Sequence, residues 1–375
     1  MKIAVVSKVN YNSLISTAYS INVLKFFSKN NDLTILSNAC SFYKKQGIKA
    51  KYVDINYLSF PSFSYYLIND RLINYKLKKI DYDMLVVWYD SLLSFPTKKP
   101  VFRFVDICPY QSIGHSKKEE KIRFDKKIFL KMMIKSFNKS TFILTVSPQM
   151  RQFLIDSRIT ENKIKWLPHG VDLTRFNTTK YVNKQEEYNL INSGQFLAIR
   201  GGDLIVKTMK IISEADDKIK YISLGNSENE FKEWEPVFEK NGLNRQIKLI
   251  GVLDNKNIPD FLSKAKIGIS ILEKNEYYNK SPPQKIFEYM AMGLPTIAND
   301  IPTHTDYIRD GYNGFIINSA EEMADIIFKL KNDKKLYKKI SDNAKKSSKE
   351  YDLEKVMSKL KVYVDEVSNT GVQKK

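Results

Sequence analysis

Cysteine and histidine are nearly absent: the 375 residues hold two cysteines, Cys40 and Cys108, and three histidines, His115, His169 and His304. Two thiols build no disulfide framework, and none of these side chains has metal-ligand spacing, which argues against a metal held by Cys and His. Long apolar runs are missing too. Nowhere do about 18 apolar residues follow one another, so no spanning helix is expected. The opening MKIAVVSKVNYN has an apolar run shorter than a signal peptide needs, and the expected location is cytoplasmic, soluble or peripheral on the inner face of the membrane.

Acidic residues are scarce in one half only. Residues 1–170 carry 28 Lys and Arg against 12 Asp and Glu, whereas the remainder carries 33 against 30. A basic first half suits anionic lipid headgroups, a pyrophosphate-linked acceptor or nucleic acid, and equally a lysine-rich composition with no partner.

What is present suffices for globular cores. At 43% hydrophobic and 27% charged, the chain is far from a disordered composition, and its length suits two domains. Short β-branched runs at 2–7, 32–37, 84–88, 101–105 and 142–146 alternate with helical patterns, and the theme repeats at 188–194, 220–225, 247–251, 266–272 and 295–298. Both halves therefore read as parallel sheets covered by helices. The polar stretch 174–189 has no apolar period and reads as the linker. After Pro302 the pattern is helical over 320–332, 334–348 and 353–367, with a frayed tail at SNTGVQKK. The expected division is 1–175, 176–350 and a C-terminal helix over 351–375 packing back on the first domain.

Open parallel sheets bind ligands where strands empty into helix N-termini. Two segments have the required chemistry. In INSGQFLAIRGGDLIVKTMK (191–210) a strand leads to Gly194, then Arg200 and Gly201-Gly202 at a helix start. Exposed amides, a fork-shaped cation and a helix N-terminus suit a diphosphate, although an ordinary turn would have the same letters. In NKSPPQKIFEYMAMGLPTIANDIP (279–302), Glu288 lies inside an apolar helical run. Its carboxylate could accept two hydroxyl hydrogen bonds from a ribose, or could be a solvated helical glutamate.

These segments resemble the family-four group of retaining glycosyltransferases with the GT-B fold. The resemblance rests on Gly194 through Arg200-Gly201, on EYMAMGLP (288–295), on the passage VSPQMRQFL to KIKWLPHGVDLTRF (146–176) and on DYIRDGYNGFII (306–317). It implies an α/β chain of two Rossmann-like doubly wound domains facing across a cleft, an acceptor-side first domain and a donor-binding second. Glu288 matches the second glutamate of the family's paired-glutamate motif, which holds the nucleotide ribose. Arg200 matches the basic residue facing the diphosphate, and Gly194 and Gly201 the loop that admits the donor. Lys280 stands where the first glutamate would fall, and Gln195 where an arginine is usual. Lys285, in the SPPQK approach with Ser281, could replace that charge. Lys280 facing an acidic donor sugar is one consequence.

The implied activity is transfer of a sugar from a nucleotide diphosphate, a UDP-sugar favoured, to a lipid-linked saccharide or glycan for cell-surface polysaccharide or glycoprotein assembly, with retention. No bound cofactor, metal or nucleic acid is expected. Arg200 and Lys285 would stabilise the leaving diphosphate, and Asp106, at the end of VFRFV, is the candidate cleft acid, His115 being a weaker one. Two basic segments, 61–80 with Tyr65, Tyr66 and Tyr75, and 115–140 with Ile122, Ile128, Phe129, Met132, Met133 and Phe137, could lie on a membrane or could be core helices with solvated lysines. Asp81-Tyr82-Asp83 spells a metal-binding triplet but precedes a strand instead of following one. The alternatives are a sugar-nucleotide epimerase of the same fold, a non-catalytic sugar-nucleotide binder, and a basic nucleic-acid-binding protein, which would leave Arg200 and Glu288 without a purpose.

Overall fold

A computed structural model of the chain describes residues 1–7, 18–56, 64–88, 95, 97–105, 122–180 and 189–372. The chain divides into two compact units, Met1–Pro168 with Met357–Lys375, and His169–Val356.

The first unit contains β1 (Lys2–Ser7), α1 (Ala18–Asn30), β2 (Asp32–Ser37), α2 (Cys40–Lys45), β3 (Lys51–Asp54), α3 (Ser64–Leu77) and β4 (Met84–Trp88). It continues with β5 (Val101–Val105), α4 (Ile122–Asn138), β6 (Phe142–Thr145), α5 (Pro148–Asp156) and β7 (Ile164–Trp166). All seven strands run parallel in the order β3-β2-β1-β4-β5-β6-β7. The central strands are apolar on both faces because helices cover both: MLVVW of β4 is buried throughout. β3 and β7 escape the sequence reading, since four and three residues of mixed polarity carry too little periodicity.

Helices α3 and α4 spend part of their apolar faces inside this unit. Ile73 and Leu77 of α3, and Met133 and Phe137 of α4, are buried, so Met133 and Phe137 are core residues and not a membrane-facing stripe. Tyr75 and Ile128 are exposed. The side chains of Tyr65, Tyr66, Ile122 and Phe129 lie outside the described residues, as do Asp106, Cys108 and His115. The triplet at 81–83 sits at the N-terminal edge of the sheet, where Asp81 accepts from Lys2 Nζ at 2.6 Å and Asp83 from the Lys2 backbone N–H at 2.8 Å. Arg103, buried in β5, lays its guanidinium over the Phe137 ring and donates to Ser140 and Ser136.

The second unit contains β8 (Asn189–Ser193), α6 (Gly202–Ala215), β9 (Lys220–Asn226), α7 (Glu228–Lys240), β10 (Ile247–Gly251), α8 (Ile258–Ser263) and β11 (Ile267–Ser270). After these come α9 (Lys285–Ala291), β12 (Thr296–Asn299), α10 (Pro302–Thr305), β13 (Gly314–Ile317), α11 (Ala320–Asn332) and α12 (Lys334–Ser348). The strands again run parallel, in the order β10-β9-β8-β11-β12-β13. Local signals start its helices: a reciprocal Ser227–Glu230 capping box opens α7, and the side chains of Ser319 and Asp333 cap α11 and α12.

Three features go beyond the sequence reading. The division at Pro168 precedes the polar stretch 174–189; Val171, ahead of that stretch, and Phe176, within it, are buried in the core of the second unit. The three helices expected after Pro302 are present, and ahead of them GFII forms β13 against β12. The tail is helical for longer than expected, since α13 runs Leu353–Val372. From Met357 that helix belongs to the first unit, where Tyr363 donates to the Trp166 carbonyl and Lys165 pairs with Glu366.

Candidate functional site

In the second unit the chain reverses its winding direction between β8 and β11, and the carboxyl ends of such a pair form the natural crevice for a ligand. Both segments singled out from the sequence arrive there.

β8 ends at Ser193, and Gly194 follows with a φ of +154°, outside the usual range of residues with a side chain. A Cβ at Gly194 would stand 2.9 Å from Arg200 Nη1, so the glycine lets the guanidinium close over the loop. Arg200 ends a short 3₁₀ turn, and its Nε is buried without a hydrogen-bond partner among the described residues. Gly201, at φ +78°, turns the chain into α6 in the left-handed region, and a Cβ there would collide with Ile271 at the end of β11. Gly201→Ala is expected to destabilise the protein by about 2 kcal/mol or more, through backbone strain and overpacking, and to weaken ligand binding at Arg200. The denaturant midpoint checks the first effect.

α9 brings the second segment. Lys285 and Glu288, one turn apart, are both buried, as are all seven residues of this helix. Burial drives Lys285 down to about 7, the Arg200 charge adds to the fall, and Glu288 opposes it. Burial likewise pushes Glu288 up to about 7 against the opposing charges of Arg175 and Lys285. Two ionisable groups poised near neutrality in one crevice are a common signature of a functional site. The Glu288 carboxylate accepts no hydrogen bond among the described residues, whereas Lys285 Nζ donates to Asn192 Oδ1 at 2.6 Å. Tyr289 ties α9 to the loop, accepting from the Ser193 backbone N–H at 2.7 Å.

The structure thus brings Gly194, Arg200, Gly201, Lys285 and Glu288 to one end of one sheet. Ser281 is buried, and its Oγ has no partner among the described residues. Lys280 forms an ion pair with Glu276 one turn away, which engages the charge that would otherwise face an acidic sugar. Gln195 bonds to the capping Glu230 at 3.2 Å. A cavity of about 390 Å³ opens at the turn into α6, with Ile199, Gly201, Asp203, Ile271 and Glu273 among its walls. Asn192 and Arg175 were not anticipated from the sequence. Arg175 lies in the quoted LTRF segment but carries no local signal, and its guanidinium bonds to Asn255 while acting on Glu288.

His304 fixes the end of β11. Its Nδ1 donates to the Asn299 carbonyl, so Nε2 accepts from the Ser270 hydroxyl, and burial holds the ring neutral, its titration pushed down to about 3. Among the described residues no group of His, Cys, Asp and Glu is placed to hold a metal, and no helix is long and apolar enough to cross a membrane.

Two units of Rossmann strand order, one with a glycine-arginine loop beside a buried acidic helix, define the GT-B class of fold. The family model described as "Glycosyl transferases group 1" matches residues 174–347, and through this second unit the chain resembles that family. An uncharacterized glycosyltransferase of Methanocaldococcus jannaschii is 28% identical over 191 residues, 48% of this chain and 51% of the relative. The capsular polysaccharide biosynthesis glycosyltransferase CapH of Staphylococcus aureus is 26% identical over 218 residues, 56% of this chain and 57% of the relative. The chain spans about half the length of these curated relatives. The crystal structure of Anabaena HepE in complex with UDP superposes with a TM-score of 0.77 at 13% identity, covering 98% of this chain and all of that one.

Proposed function

We propose that this protein is a glycosyltransferase that moves a sugar from a nucleoside diphosphate, a uridine nucleotide first among the candidates, to a glycan or lipid-linked saccharide. The observation that carries the reading is the buried Lys285–Glu288 pair beside Arg200 at the carboxyl ends of β8 and β11. A diphosphate needs cations and backbone amides, which Arg200, Lys285 and the Gly194 and Gly201 turns supply. A ribose needs an acceptor for its hydroxyls, which an otherwise unbonded Glu288 carboxylate supplies.

In this reading the bond from the sugar's anomeric carbon to the diphosphate oxygen breaks, and Arg200 and Lys285 stabilise the charge that gathers on the leaving oxygen. The acceptor oxygen bonds to the same face of that carbon, with retention, and passes its proton to the departing diphosphate. No enzymic nucleophile is required. The basic first unit takes the acceptor, and a cytoplasmic protein peripheral on an anionic membrane fits its charge. UDP complexes of a structure with this fold, and a capsular role of one relative, support the donor class and the polysaccharide context.

Incubation with a UDP-sugar and a lipid-linked or glycan acceptor should release UDP and yield a product of retained anomeric configuration by NMR. Arg200→Ala should lower kcat/KM at least about 100-fold, the loss of a charge-assisted contact that strengthens as charge builds on the diphosphate. An epimerised sugar nucleotide with no acceptor product would refute the transfer.

A further inference from the structure

Asn192, the penultimate residue of β8, is 3% exposed and joins both halves of the site. Its Oδ1 accepts from Lys285 Nζ at 2.6 Å, while its Nδ2 donates to the Gly194 carbonyl at 2.8 Å and to Ser223 Oγ at 3.3 Å. The Ser223 hydroxyl donates to the same Gly194 carbonyl at 2.8 Å. The chemistry fixes the amide's orientation. An ammonium offers only donors and a carbonyl only acceptors, so a flipped amide would place NH₂ against NH₃⁺ and oxygen against oxygen. Of residues this size, only asparagine meets both partners. Leucine meets neither, and aspartate would set a carboxylate against the Gly194 carbonyl.

We propose that Asn192 is a positioning residue for the donor reaction: it locks the Lys285 ammonium to the Gly194 turn, so that the cation and the glycine loop meet the diphosphate as one rigid unit. This rests on the donor-site reading above. Without the bridge, Lys285 has four rotatable bonds and no described partner holding its end. A charge contact that must be ordered on binding is weaker than one already in place.

The charged groups facing Lys285 are Arg200, from the turn before α6, and Glu288, on α9 itself; His304 near it is held neutral, and Arg175 acts on Glu288. Binding of a diphosphate requires the protonated lysine, so wild-type affinity for UDP should fall as pH rises past about 7. Asn192→Asp places a carboxylate where the amide oxygen now meets the ammonium at 2.6 Å. That charge favours the protonated lysine, and it also competes with the diphosphate for it.

The test is UDP affinity by titration calorimetry across pH 6 to 9 for the wild type, Asn192→Asp and Asn192→Ser, with thermal midpoints to confirm folding. Asn192→Asp should bind at least about tenfold more weakly at pH 7, with its alkaline limb moved up by about one pH unit or more. Asn192→Ser, which loses the bridge without adding a charge, should bind at least about tenfold more weakly with its limb in the wild-type position. A merely structural asparagine would alter the thermal midpoint and leave the UDP affinity of folded Asn192→Ser unchanged. Wild-type UDP binding together with unchanged affinity in both folded variants would overturn the role of Asn192 alone. If Asn192→Asp does not fold, the affinity of Asn192→Ser decides in the same way. Absence of nucleoside diphosphate binding by the wild type would overturn the donor reading and this inference with it.

Discussion

Glu288→Gln is expected to weaken binding of a uridine nucleotide roughly 100-fold while leaving the thermal midpoint of the ligand-free protein equal or higher. The two effects have different causes. A carboxylate accepting two ribose hydroxyls makes two charge-assisted hydrogen bonds, each worth about 1.5–3 kcal/mol, and a neutral amide of the same shape keeps only part of this. Loss of about 3 kcal/mol corresponds to the stated factor. In the ligand-free protein the carboxylate is buried and accepts no described hydrogen bond, so its ionised form is a cost to folding that the amide removes. A structural glutamate would behave oppositely, losing stability with the charge. Calorimetric titration and thermal unfolding of the same sample separate the two.

Binding of UDP should also follow a bell-shaped pH profile with its maximum near neutrality. Lys285 in the free protein is held down at about 7 by burial and by Arg200. An arriving diphosphate favours its charged form, so protons are taken up and affinity falls above that pH. Glu288 in the free protein is held up at about 7 by burial. Ribose hydroxyls favour its ionised form, so affinity falls below that pH. The two groups act on each other, and the limbs belong to the pair. Lys285→Met should abolish the alkaline limb, and Glu288→Gln should reduce the acid limb to that of the UDP terminal phosphate, whose second proton leaves at about pH 6. Repeating the titration in buffers of different ionisation enthalpy counts the protons exchanged. A flat profile from pH 6 to 9 would contradict the assignment of these two residues.

Much of this architecture was legible because it rests on local signals. MLVVW is an unbroken apolar run and VFRFV is apolar but for the buried Arg103, as strands covered on both faces require, and both are strands of the first sheet. Gly194, Arg200, Gly201, Lys285 and Glu288 were legible because turns and helix starts demand particular residue types, and the structure gathers them at the carboxyl end of one sheet. Asn192 was not. A polar residue near a strand end has no distinctive sequence signature, and its importance comes from Lys285, 93 positions away in the chain. Arg175 was missed for the same reason, since its action on Glu288 is tertiary. Polarity alone does not show which unit the stretch 174–189 joins, and the buried Val171 and Phe176 tie its start to the second core. Lys280 pairs with Glu276 four residues before it, a contact made in a turn that carries no helical signal.

The measurement that bears most directly on the central claim, a nucleotide-sugar site in the second unit, is thermal stabilisation of the full chain by UDP-, GDP- and dTDP-linked sugars, repeated with Arg200→Ala. Ligand that binds the folded state raises its stability by mass action, about 2.7 kcal/mol at a hundred times Kd. A rise in the midpoint of several degrees with one nucleotide, absent in the variant, is the predicted result. No rise with any nucleotide, or an equal rise in Arg200→Ala, would contradict it.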